Sequence, residues 1–171
     1  MEQKNKLTTG QKQLLVGLYS SDDKIVIKSI KDTREKGGTF VIEPLMELYF
    51  THKSTDVYKE IPAIFSDLKD SKLNLLITDN LLKYKGNERL SVFISSLWQS
   101  SVKFEDIKSL VEIFISGDDS SSLETLTLIQ QNADMLNDAI AFECLNILKS
   151  ELSGMNDFKK TLAVDLLEIL E

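Results

Sequence analysis

Apolar residues recur every three or four positions through almost the whole chain, and very little interrupts them. That spacing puts them on one face of an α-helix, where side chains three and four apart stand one above the other. The clearest stretch is Val57, Tyr58, Ile61, Ile64, Phe65 and Leu68, one stripe on a helix expected from about Ser54 to Lys69. Leu73, Leu76, Ile77 and Leu81 carry the same period directly afterwards. Asp70-Ser71 between them leaves room only for a tight turn, so these helices would run antiparallel and pack on each other. Two prolines and seven glycines are all that punctuate 171 residues, fewer turn formers than a β-rich chain of this length requires. The expected fold class is all-α.

The two-helix unit then recurs. Asp23 and Val26 open a helix carrying Ile27 and Ile30, and Gly37-Gly38 closes it, as a left-handed glycine commonly does. Val41, Ile42, Leu45, Met46, Leu48 and Tyr49 form its partner. Asn87-Glu88-Arg89-Leu90 opens a later unit holding Phe93, Ile94, Leu97 and Trp98, then Ile107, Leu110, Val111 and Phe114. After the serine-rich segment Gly117–Ser122, full of helix-capping residue types, come Leu123, Leu126 and Ile129, then Leu136, Ile140, Leu145 and Leu148. Unit starts near residues 23, 56, 88 and 121 give a period of about 32 or 33 residues. A fixed period of this size marks a solenoid, in which each unit buries its apolar face against its neighbours.

Segments such as Thr55-Asp56-Val57-Tyr58-Lys59-Glu60-Ile61 and Asn87-Glu88-Arg89-Leu90 resemble the acidic-x-apolar-basic opening of HEAT repeats. The resemblance covers about residues 20–152 and implies an α-α superhelix of antiparallel helix hairpins. It also implies that the acidic residue caps or pairs near the turn and that the basic one extends across it. The usual mid-helix alanines are replaced here by Ser29, Pro62 and Ser95. The alternative architecture is a compact irregular helical bundle. On the repeat reading, residues 1–171 form one domain. Residues 1–19 would be a leading helix with Leu14, Leu15, Leu18 and Tyr19 after Thr8 or Thr9, and 20–154 about four hairpins. Residues 155–171 would be a capping helix with Lys159, Lys160, Asp165 and Glu168 on its polar outer face.

Composition narrows the function classes. No apolar run reaches the roughly 18 residues of a membrane span, and none of secretory length follows the polar lead Met1–Lys6. Cys144 is the one cysteine, so no internal disulfide can form; a cytoplasmic protein is expected. The net charge of −7 is uneven: residues 1–103 hold 16 Lys/Arg against 13 Asp/Glu, residues 104–171 hold 4 against 14. Nucleic-acid binders need clustered cations to displace counterions from phosphate, and the acidic half has none to spare. The expected partner is another protein, with a basic surface or peptide, and neither nucleic acid nor membrane. The oligomeric state is left open.

Residues that might carry chemistry read as structural. His52 is the only histidine and stands at a helix C-terminus, where a basic group suits the helix dipole. Cys144, beside Glu143, sits on a helix from about 135 to 152 as a small hydrophobe, because a neighbouring carboxylate raises a thiol pKa. Trp98 falls in phase with Leu97 and Ile94, as a core aromatic or, if exposed, an anchor for a partner. Pro62 should kink its helix. The chain carries no phosphate-loop, nucleophile-elbow or zinc-helix motif, so no catalytic residue, cofactor or metal is assigned and the protein is read as a non-catalytic interaction or scaffold module. A HEAT-like nucleic-acid-processing enzyme, using the cations Lys24, Lys28, Lys31, Arg34 and Lys36, and a structural oligomer-forming subunit are the alternatives. In a HEAT stack the second helices line one continuous surface. Polar positions outside their apolar stripes are Glu43, Glu47, Asn74, Thr78, Asp106, Glu112, Asn137 and Asp138. Five of these eight are acidic and none is basic, which makes them an expected acidic ridge for the basic partner.

Overall fold

A computed structural model of the chain describes residues 7–171, and the polar lead Met1–Lys6 lies outside the described residues. The fold is all-α, in the order α1 (Thr9–Leu18), α2 (Asp23–Lys36), α3 (Thr39–Thr51), α4 (Thr55–Tyr58), α5 (Ile61–Ser66), α6 (Asn74–Lys83), α7 (Leu90–Trp98), α8 (Ile107–Ser116), α9 (Asp119–Gln131), α10 (Asp138–Glu151) and α11 (Asp157–Leu170). Short 3-10 turns at Ser71–Leu73, Ala133–Met135 and Leu152–Gly154 join or extend them.

The helix starts follow directly from side-chain chemistry. Thr8, Asp22, Asp106, Asp118, Asn137 and Asn156 each accept a hydrogen bond from a backbone N–H of the first turn. Each such cap satisfies a donor the helix leaves unpaired and is worth about 1 kcal/mol. At Thr8 the bond is reciprocal, since the Gln11 side chain accepts from the Thr8 N–H at 2.9 Å.

Two local expectations fail for identifiable reasons. The helix expected over Ser54–Lys69 is broken rather than kinked: α4 stops at Tyr58 and α5 begins at Ile61. Pro62 stands second in α5, where its missing N–H costs nothing, while its ring excludes continuation from the turn before. The α2–α3 junction is not left-handed either. Gly37 and Gly38 are both extended, at φ −73° and φ 173°, and the one glycine of positive φ among the described residues is Gly86. Gly37 is required by space, since a Cβ there would lie 2.3 Å from the Thr33 carbonyl oxygen.

The chain divides into two compact units, Met1–Ile64 and Phe65–Glu171, with the division inside α5. In the first, α1 packs on α2 and α3, and α4 on the same two helices. Gly17 permits the α1–α2 crossing, because a Cβ there would stand 2.1 Å from Ser29 Oγ. Leu18, Val26, Ile30, Leu45 and Met46 fill the core, with Tyr49 edge-on to Phe50 and Tyr58 at centroid distances of 5.0 and 6.0 Å.

In the second unit the packing alternates. α6 packs on α8 and α8 on α10, while α7 packs on α9 and α9 on α11. Cross-packing of α8 with α9 and α10 with α11 joins the two sets into two layers. The close approaches between consecutive helices therefore fall between the expected hairpins rather than within them. Phe65, Ile77, Leu97, Leu110 and Leu126 are buried here, as Ile61 is in the first unit, and Phe65 meets Phe93 with ring centroids 4.6 Å apart. Leu123, expected inside with Leu126, is instead exposed.

The connection from α7 to α8 is tied to its neighbours by burial and hydrogen bonds. Val102 and Phe104 are buried in it, and the Ser101 N–H donates to the Leu68 carbonyl at 3.1 Å. Buried Asn132 accepts from the Phe104 N–H at 2.9 Å and donates to the Leu128 carbonyl at 2.8 Å, clamping the connection to the end of α9. Its low count of apolar residues concealed this from periodicity.

Candidate interaction surface

Of the eight residues expected on an acidic ridge, two do not reach the surface. Asn74 is 5% exposed and Thr78 0%. Both donate to backbone carbonyls, Asn74 Nδ2 to Ser71 at 2.7 Å and Thr78 Oγ1 to Asn74 at 3.0 Å, while Asn74 Oδ1 is buried without a hydrogen-bond partner. A short polar side chain that bonds its own helix or turn can be buried, so a polar residue type is no sign of exposure. Asp106 and Asn137 serve as caps of α8 and α10, with Asp106 accepting from both the Ser109 N–H and its hydroxyl. Glu43, Glu47, Glu112 and Asp138 are exposed. Glu47 accepts the Tyr19 hydroxyl at 3.2 Å within the first unit. The exposed acidic members of the set are Glu43 and Glu47 in the first unit and Glu112 and Asp138 in the second.

The face that carries Glu112 also contains a cation that reading the second helices missed. Lys108 on α8 donates to Glu143 on α10 at 3.0 Å, and that hydrogen bond and charge hold the Lys108 pKa above the ordinary lysine value. Lys103, in the α7–α8 connection, pairs with Asp134 at 2.9 Å and donates to the Gln131 carbonyl. The Asp134 carboxyl is held below its usual range by that hydrogen bond.

Lys159 departs furthest from its expected place on a polar outer cap. It is buried, and its ammonium donates to the Ile115 carbonyl at 2.7 Å and to the Gly117 carbonyl. These oxygens close the C-terminal end of α8, where the helix dipole is negative and carbonyls lack helical partners. Burial lowers the Lys159 pKa, and the charges of Asp119 and Asp118 oppose that shift. A 420 Å³ recess lined by Gly117, Asp118, Asp119, Ser120, Asn156 and Lys159 opens beside it.

Trp98 is half-buried and its indole N–H donates to Glu124 Oε2 at 2.6 Å, tying α7 to α9. His52 closes α3 as expected: its Nδ1 accepts from the Ser54 N–H at 3.2 Å, and Nε2 stands 3.8 Å from Asp23. Asp56 pairs with Lys59 at 2.7 Å across the single turn of α4. Cys144 is fully buried, and desolvation, helped by Glu143, pushes its thiol pKa up to about 11. Among the described residues no group of three or more His, Cys, Asp or Glu is placed to hold a metal ion.

The exposed apolar side chains gave no signal in the sequence. On the second unit they include Val92 on α7, Leu123 on α9, Phe142 on α10, and Phe158 and Val164 on α11. A single apolar residue outside the buried stripe of its helix adds nothing periodic to the sequence. No helix among the described residues is long and apolar enough to cross a membrane. No protein-family model, curated protein or solved structure matches this chain.

Proposed function

We propose that the chain is a non-catalytic protein-interaction module, cytoplasmic, built as a HEAT-like superhelix of stacked helices. The observation that carries this reading is the packing of each helix of the second unit on the next but one, α6–α8–α10 in one layer and α7–α9–α11 in the other. Stacks of that kind bind partners along an extended side rather than in an enclosed cleft. The step from fold to function is one of analogy. Exposed apolar side chains on α7, α9, α10 and α11 are consistent with it, because such residues serve as anchors at interfaces.

Affinity capture on the tagged full chain, followed by mass spectrometry and reconstitution with the purified candidate, tests the proposal. A protein that co-elutes in stoichiometric amount and rebinds the purified chain is the expected result. Recovery of nothing beyond what an unrelated helical protein of equal charge retains would sink the module reading.

A further inference from the structure

The outward seam between α9 and α11 combines exposed apolar side chains with charge of one sign. The two helices pack together, and Asn156 at the start of α11 donates to Asp119 at the start of α9 at 2.8 Å, which fixes their register. Leu123 follows Asp119 by one turn, so it lies on the α11 side of α9, and it is 44% exposed. On α11, Lys160, Val164 and Leu167 line a recess with Leu152 and Ser153 at the end of α10. By helical phase Phe158 lies on the flank of α11 opposite that recess, and it is 46% exposed. Two half-exposed apolar side chains thus fall along the seam of these packed helices.

The outward-facing charged side chains of α9 and of the Phe158 flank of α11 are carboxylates. α9 contains Asp119 and Glu124 and no lysine or arginine. α11 contains two lysines, but Lys159 is turned inward onto the carbonyls of Ile115 and Gly117, and Lys160 lies on the α10 flank. Asp165, seven residues after Phe158 and so nearly in line with it, adds another exposed carboxylate to the seam. A ligand complementary to this surface must present apolar side chains at helical spacing with cations beside them.

We infer that the α9–α11 seam docks a cationic amphipathic helix of a partner protein, with Leu123 and Phe158 as its apolar contacts and Asp119 and Asp165 as its charge contacts. This rests on the interaction-module reading and names the class of partner. A fluorescein-labelled synthetic helix of leucine and lysine, about four turns long to match α9 and α11, serves as the probe in an anisotropy titration of the full chain.

The expected result is saturable binding, weakened about tenfold by Leu123→Ser and by Phe158→Ser, as for interface anchors. Asp165→Lys, a substitution at an exposed position that leaves the core untouched, should weaken binding and flatten its dependence on salt. Phe142→Ser, on α10 in the other layer, should leave affinity unchanged. Absence of saturable binding, equal loss with Phe142→Ser, or equal binding of a leucine–glutamate helix would overturn the inference. If the captured cellular partner binds a folded Leu123→Ser/Phe158→Ser chain as tightly as wild type, the module reading stands and this seam is not its surface.

Discussion

Replacing Lys159 by methionine tests whether a buried ammonium can be a net stabiliser of this fold. Methionine keeps most of the stem that fills the space between α8 and α11 and removes only the charge. Two terms oppose each other. The ammonium's bonds to Ile115 and Gly117 are lost, and bonds of a charged group are worth about 1.5–3 kcal/mol each, with a further ~0.3–1 kcal/mol from the α8 dipole. Against this, methionine escapes the desolvation that lowers the Lys159 pKa. Both carbonyls lie beside the open recess, where water can replace part of what they lose. The bonds should win by about 2 kcal/mol, which for a chain of this size is a fall in melting temperature of roughly 4–8 °C. Lys159→Ala removes the stem as well and should be less stable again. Thermal melts by circular dichroism, with urea titrations for the free energy, order the three proteins. A methionine variant as stable as wild type would mean that the ammonium's desolvation cancels its bonds, and the account of Lys159 would be refuted.

Leu97→Ala, at a fully packed position on α7, should cost about 2–5 kcal/mol in urea denaturation, and an unchanged midpoint would show that the site collapses freely. Gly17→Leu should destabilise the α1–α2 crossing more than Gly10→Leu, because a side chain at 17 meets Ser29 and one at 10 meets nothing, as relative melting temperatures will show. Cys144 should resist a thiol reagent at pH 8 until the chain is unfolded. Because its folded pKa of about 11 lies above the 9.0 of an ordinary thiol, the native state holds the proton longer. Stability should fall as pH rises from about 9 to about 11, and a Cys144→Ala chain should lack that slope. Duplex DNA should bind weakly at physiological salt despite the exposed lysines of α2, since Asp32 pairs with Lys36 at 3.1 Å and Asp23 and Glu35 interrupt the row; sub-micromolar anisotropy binding would contradict this.

Local chemistry made much of the fold legible in the sequence. The closing helix was expected from its apolar phase, and α11 runs Asp157–Leu170 with Asn156 as cap. The leading helix begins after Thr8, one of the two residues named for it. What periodicity could not supply was the third dimension. Asn74 and Thr78 looked like surface residues because their types are polar, but each bonds a carbonyl of its own turn or helix and is buried. Lys159 looked like a cap because lysine usually reaches water, and only the approach of α11 to the end of α8 shows the partners awaiting it. Leu123 failed in the opposite sense: its spacing from Leu126 fits one stripe, and the seam at which that stripe ends is a property of α11. The expected pairing of helices failed likewise, since a short connection shows that two helices are neighbours but not which neighbour comes closest.

The fold also changes what the charge count means. Four cations offset 14 carboxylate side chains over residues 104–171. Of the four, Lys108 is bonded to Glu143, Lys159 is buried on carbonyls, and Lys149 stands 3.9 Å from Glu171. A cation held against a carboxylate adds little to the field beyond it, and a buried one is turned away from an approaching ligand. The outward potential of this region is therefore set by side chains such as Asp119, Asp157 and Asp165. Because Lys108 and Lys159 are tied down by folding, neutralising either should alter stability more than ligand association. Reversing Asp165 should do the opposite, which separates a surface charged for solubility from one charged for a cationic partner.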